Sequence, residues 1–81
     1  MIYKLPLVLS PQPEGGFTVT SPVLPELITE GDTLDEALDN VRDALDAVIE
    51  AYTEEGRTLP AGVIQNHVDG PLWFEAMVTA P

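Results

Sequence analysis

One long amphipathic helix dictates what this chain can build. Thr33-Leu34-Asp35-Glu36 has the form of a capping box, in which the Thr33 hydroxyl accepts the Glu36 N–H and the Glu36 carboxylate turns back to the Thr33 N–H. A helix is therefore predicted to start at Leu34. From there Leu34, Leu38, Val41, Leu45, Val48 and Tyr52 recur at helical spacing, flanked by Ala37, Ala44, Ile49 and Ala51, as one continuous apolar stripe. Gly56 suits a left-handed C-terminal cap and Pro60 lies just beyond, which gives about six turns, or roughly 33 Å at ~1.5 Å per residue. In a chain of 81 residues there is material for one core only, so the flanking segments must supply the surface on which this rod lies.

Those segments read as strands. Ile2 to Leu9 places Tyr3, Leu5, Leu7 and Leu9 on one side and Ile2, Lys4, Pro6 and Val8 on the other, the pattern of a largely buried strand that Pro6, lacking an N–H, restricts to an edge or a bulge. Ser10-Pro11-Gln12-Pro13-Glu14-Gly15-Gly16 is a hairpin loop, and Phe17-Thr18-Val19-Thr20 alternates as a strand with one wet face. Pro22 and Pro25 end it, and a short extended piece, Leu27-Ile28-Thr29, precedes Gly31. Beyond the helix, residues 61 to 71 read as loop. Leu72 to Thr79 reads as a last strand, with Leu72, Phe74, Ala76 and Val78 opposed to Trp73, Glu75, Met77 and Thr79. The expected fold is α+β over a single domain, residues 1–81. It is a three-stranded antiparallel meander with the long helix packed on one sheet face, followed by a fourth strand (β-β-β-α-β). The other sheet face, carrying Trp73 and Met77, has no helix to cover it. Those two residues are candidates for an oligomer interface, and a homodimer or higher homo-oligomer is expected.

Composition removes whole classes of function. Fourteen Asp and Glu against three Lys and Arg give a formal net charge of −11, which repels phosphate backbones and anionic lipids; direct nucleic-acid binding and membrane association are not expected. The same charge favours solubility and fast encounter with a basic protein. With no cysteine there is neither a disulfide nor a thiolate metal site, and the redox compartment is left open. No run approaches the ~20 apolar residues of a membrane span and no secretion signal opens the chain, so the expected location is the cytoplasm.

The most distinctive residues are Glu14-Gly15-Gly16-Phe17-Thr18-Val19-Thr20, Pro25, and Leu27 through Leu38, with Gly31-Asp32-Thr33-Leu34, Glu36 and Ala37 at their centre. Glu54-Glu55-Gly56-Arg57-Thr58-Leu59-Pro60 follows at the helix exit. Over roughly residues 3 to 60 this order resembles the HicB family of antitoxins. The resemblance implies a partial, degenerate RNase H-like fold that binds and neutralises a small basic mRNA-cleaving toxin of the HicA family by occlusion, as the antitoxin of a type II toxin-antitoxin pair. It further implies a short form without the C-terminal DNA-binding domain common in the family. Where the family often has a Pro-Leu-Pro-Gly-Cys-like run, this chain reads Val23-Leu24-Pro25-Glu26-Leu27, and a different turn is expected there.

The polar side of the helix is the candidate partner-binding site. Asp35, Asp39, Asp43, Asp46, Glu50 and Glu54 stand three or four residues apart, and each like-charge neighbour costs ~0.2–0.5 kcal/mol, on the order of 1–2 kcal/mol in all. Asp35 and Glu36 gain from the helix dipole, whereas Glu50, Glu54 and Glu55 lie at its unfavourable end, and Arg42 alone offsets the row. A local rule broken without visible compensation marks a functional surface, so Asp35, Asp39, Asp43, Asp46 and Glu50 are assigned to docking of a basic protein; a merely solvated face is the competing reading. No enzyme is expected. A two-metal nuclease needs carboxylates converging on ions ~3.5–4 Å apart, whereas the first strand offers Lys4 and no acid, and the helical acids point away from the core. His67, beside Asn66 and Asp69, lacks the companions of a metal site and reads as a solvated loop residue. Ser10 and Ser21 adjoin prolines in turns, so no nucleophile, cofactor or metal is assigned. An orphan self-associating module is the alternative function, and a vestigial metal-dependent nuclease ranks last.

Overall fold

The computed structural model describes residues 2–66 and 69–81. In chain order the elements are β1 (Ile2–Lys4), β2 (Val8–Pro11), β3 (Phe17–Thr20), β4 (Ile28–Gly31), α1 (Leu34–Glu54) and β5 (Ile64–Asn66). β2, β3 and β4 form an antiparallel meander with β3 in the middle, and β1 pairs with β5 as a separate antiparallel two-stranded sheet. The fold is thus α+β, with a three-stranded meander, one long helix and a strand after it.

The helix forms where its local signals placed it. The Thr33 side chain accepts the Glu36 N–H at 3.1 Å and the Ala37 N–H reaches the Thr33 carbonyl at 2.9 Å, so the first turn is capped from Thr33. At the other end Gly56 takes φ +67°, its N–H reaches the Thr53 carbonyl at 3.1 Å and the Arg57 N–H reaches the Tyr52 carbonyl at 2.8 Å. This pair of bonds is a Schellman motif, which glycine makes possible by adopting the left-handed conformation without a Cβ clash.

Register decides which residues face α1. Leu9, Val19 and Thr29 lie in one row across the meander and Pro11, Phe17 and Gly31 in the next; Val8, Thr20 and Ile28 belong to the opposite face. Val19 is fully buried, while Ile28 is 66% and Val8 48% exposed, so the helix covers the Val19 face and leaves the other open. The core beneath the helix consists of Val19, Leu24, Leu27, Ala37, Val41, Tyr52 and Val63, ringed by half-buried Tyr3, Leu5, Leu7, Leu9, Phe17, Leu45 and Val48. Gly31 brings the layers together: a Cβ there would stand 2.3 Å from the Ala37 nitrogen, so the first turn of the helix rests on bare backbone.

Four expectations need correction. The run Ile2–Leu9 is not one strand, because Pro6 offers no N–H and the ladder breaks around it; the alternation survives, with Tyr3, Leu5, Leu7 and Leu9 all half-buried against the core. The strand after the helix is Ile64–Asn66, inside the segment read as loop, and it exists because β1 lies alongside to pair with it. Leu72 to Thr79, read as that strand, has no regular structure: it forms no ladder with any described strand. Consequently Trp73 and Phe74, expected to divide between core and interface, are 85% and 79% exposed, and the open sheet face carries Val8 and Ile28 rather than Trp73 and Met77. His67 lies outside the described residues.

Packing at Gly31 gives a direct test. Gly31→Ala should destabilise the fold by about 1–3 kcal/mol through overpacking against Ala37, whereas Gly70→Ala, where an added Cβ meets nothing within 4 Å, should stay within about 0.5 kcal/mol. Urea denaturation of the two variants beside the parent chain measures the contrast.

Candidate partner-binding site on the helix

Because the apolar stripe is turned down onto β3 and β4, the acidic residues face solvent. Asp35, Asp39, Asp43, Asp46 and Glu50 are all exposed, and the structure brings the five together as a ridge along one side of α1. The first turn holds Asp35 and Glu36, which suit the dipole, and the last turn holds no basic residue, so the cation nearest the far end is Arg57 just beyond it. Among the described residues the one ion pair is Arg57 with Glu55 at 3.0 Å, just past the helix. Arg42 is the one cation within the row, and it forms no ion pair there, so the ridge keeps a large negative excess. It can act as a row of hydrogen-bond acceptors and negative charges for a cationic surface.

The ridge is fixed at both ends. Near its start the Asn40 Nδ2 donates to the Glu30 carbonyl of β4 at 2.7 Å, which ties the second turn to the sheet and occupies a carbonyl on an outer strand. Near its finish Tyr52, 5% exposed, donates its hydroxyl to the Glu26 carboxylate in a short hydrogen bond. The Arg57 guanidinium covers the Tyr52 ring at 4.0 Å from its centre, a cation–π contact. The bond to Glu26, with a further contribution from desolvation, holds the Tyr52 hydroxyl above the usual tyrosine value of 10.0, against the opposing pull of Arg57. Sequence reading missed this brace. Its signals were a tyrosine closing the apolar stripe and an acid, Glu26, standing where the family run has glycine. The turn around it, closed by the Leu27 N–H on the Leu24 carbonyl at 3.0 Å, sinks Leu24 and Leu27 completely into the core.

The other assigned residues fall elsewhere. Trp73 and Met77 lie far along the chain in the segment after β5, with Met77 57% exposed, and they are not part of the helix ridge. Among the described residues no three His, Asp or Glu side chains gather as metal ligands. None of the described helices is long and apolar enough to cross a membrane.

Comparison with known proteins bears on this geometry. The family model of the HicB-like antitoxins of bacterial toxin-antitoxin systems matches residues 5–80. The chain belongs to this family. Antitoxin HicB 1 of Photorhabdus laumondii is 44% identical over 71 residues, covering 85% of this chain and 46% of that protein. Antitoxin HicB of Escherichia coli K12 is 37% identical over 57 residues, covering 70% of this chain and 41% of that protein. The UPF0150 protein Ta0767 of Thermoplasma acidophilum is 32% identical over 57 residues, covering 70% of this chain and 83% of that protein. The chain thus spans less than half the length of the two HicB antitoxins, and most of the length of the UPF0150 protein. The family match extends past Pro60, the limit of the residue likeness, into the exposed segment after β5.

Two consequences of this architecture are measurable. Asp43→Asn removes two like-charge neighbours, Asp39 and Asp46, and should raise the stability of the isolated chain by a few tenths to about 1 kcal/mol in chemical denaturation at low salt, a gain that shrinks as salt is added. For Tyr52 the folded-state value lies above the unfolded one, so its contribution is fully present below pH 10.0 and is lost as the pH climbs through the raised folded value. Melting temperatures recorded from neutral to strongly alkaline pH should show the gap between the parent chain and Tyr52→Phe narrowing on the alkaline side.

Proposed function

We propose that this chain is the antitoxin of a type II pair and neutralises a small basic HicA-like mRNA-cleaving toxin by occlusion. The observation that carries the reading is the exposed ridge of Asp35, Asp39, Asp43, Asp46 and Glu50, in excess over the single Arg42 among them and held on a rod braced at both ends. A ribonuclease must present cations to bind a phosphate backbone. A fixed row of carboxylates complements such a surface, speeds encounter, and covers it once docked. The names of the HicB relatives support an antitoxin role, and the chemistry of the ridge supports the class of partner. No catalytic step is assigned to the antitoxin itself, which acts in the cytoplasm without contacting nucleic acid.

The energetics favour this over a merely solvated face. Repulsion along the ridge costs on the order of 1–2 kcal/mol when the chain is alone. A partner that supplies cations relieves that cost on docking, so part of the binding energy is already stored in the free antitoxin. Opposite charges across an interface also act over about 8–10 Å at moderate salt, well beyond contact distance.

Titrating the chain into the toxin's RNA-cleavage reaction tests the proposal, with inhibition expected to reach completion at a stoichiometric endpoint. Affinity should fall about ten-fold or more between ~0.05 and ~0.5 M salt. The combined variant Asp39→Asn/Asp43→Asn/Asp46→Asn should bind at least about ten-fold more weakly while folding at least as stably. Cleavage that continues undiminished at excess antitoxin overturns the reading; inhibition that ignores both salt and the triple variant removes the ridge from it.

A further inference from the structure

The segment after β5 has a composition that the rest of the molecule lacks. In a chain of net charge −11, residues 70–81 carry a single charged side chain, Glu75. The same stretch holds Leu72 45%, Trp73 85%, Phe74 79%, Met77 57% and Val78 81% exposed, the densest apolar surface among the described residues. It runs beside β1, where the Lys4 Nζ donates to the Trp73 carbonyl at 3.1 Å, and between the two lies an open cleft of about 690 Å³ lined by Ile2, Tyr3, Leu5, Leu72 and Phe74 among others. It has no regular secondary structure and pairs with no described strand.

We propose that residues 71–79 are a self-association arm, and that two copies of this chain meet by each seating its arm against the β1 side and arm of the other. Area supports the pairing. A fully exposed Trp or Phe presents ~150–250 Å², so Trp73 and Phe74 alone offer roughly 250–400 Å² of side chain to a partner. Leu72, Met77 and Val78, with Ile2 at 38% and Ile64 at 48% exposure on the adjoining strands, bring the total toward the ~800 Å² per partner of a standard interface. A patch of this size on a monomer exceeds what scattered surface residues explain.

Charge selects the occupant. Two chains of −11 repel one another across most approaches, and least at this cleft, where Lys4 stands with only two acids, Asp69 and Glu75, in the lining. A cationic toxin has the opposite preference and is drawn to the α1 ridge. The two associations should therefore respond to salt in opposite directions: added salt weakens docking on the ridge and strengthens pairing through the arm. Pairing at the arm leaves Asp35 through Glu50 of both copies uncovered. This inference does not depend on the toxin reading, since its test needs no toxin.

Sedimentation velocity on the full chain, over a concentration series reaching about 1 mM and at low and high salt, should show a monomer–dimer equilibrium that tightens as salt rises. Trp73 is the sole tryptophan, so its emission should shift to the blue with rising concentration as the indole is covered. Trp73→Ser/Phe74→Ser should weaken the dimer by about ten-fold or more with an unchanged melting temperature in the dilute monomer. If that variant fails to fold, Val78→Ser, 81% exposed, should weaken the dimer in the same direction. A parent chain that remains monomeric throughout overturns the proposal, as does a dimer indifferent to these variants.

Discussion

The contact between Gly31 and Ala37 sets the geometry from which everything else follows. Because Gly31 has no side chain, the last residue of β4 meets the first turn of α1 backbone to backbone, and the two elements stay in close register from that point. The stripe of Val41, Leu45, Val48 and Tyr52 is thereby laid over the buried face of the meander, on Val19 and the sunken Leu24 and Leu27. The polar side of the helix has no alternative to facing outward. Exposure of the acidic ridge is thus a consequence of how one glycine lets a helix settle onto a sheet.

Local features were legible in the sequence, and features that need a distant partner were not. The Thr33 cap, the apolar period and the Gly56 exit are encoded within a few residues of where they act, and the helix formed between the expected limits. The antiparallel hairpin of β2 and β3 and the short strand before Gly31 followed from turn residues and alternation. By contrast, Ile64–Asn66 becomes a strand only because β1 folds back beside it across some sixty residues of chain, and nothing within the segment announces that. Leu72 to Thr79 shows the converse error, since alternation is present but the described fold provides no ladder to receive it. The ridge itself was legible, because a burial pattern read from the stripe fixes the opposite face as well. The brace between Tyr52 and Glu26 joins residues far apart in sequence and could be seen only in three dimensions.

The molecule presents two surfaces of opposite chemistry at different places in the chain. Along α1 the surface is charged and supported by the core beneath it; after β5 it is apolar, nearly neutral and joined to the body beside Lys4. A small domain has a stability of only about 5–15 kcal/mol, so both a repulsive ridge and an exposed aromatic pair are appreciable liabilities for it. Family membership accounts for the fold and for the residues around Gly31 and Thr33. The chemistry of the two surfaces must be argued from their side chains, as fold alone does not specify what a surface binds.

Bracing has a further consequence. With Asn40 tied to Glu30 at one end and Tyr52 to Glu26 at the other, α1 is pinned to the sheet side near both of its ends, and bending or turning it would break these bonds. Residues four apart along it are held at an axial pitch of ~6 Å. The helix is therefore a stiff comb rather than a supple strap, surrendering little conformational freedom on docking and demanding that any client bring its cations at matching intervals or do the reshaping itself.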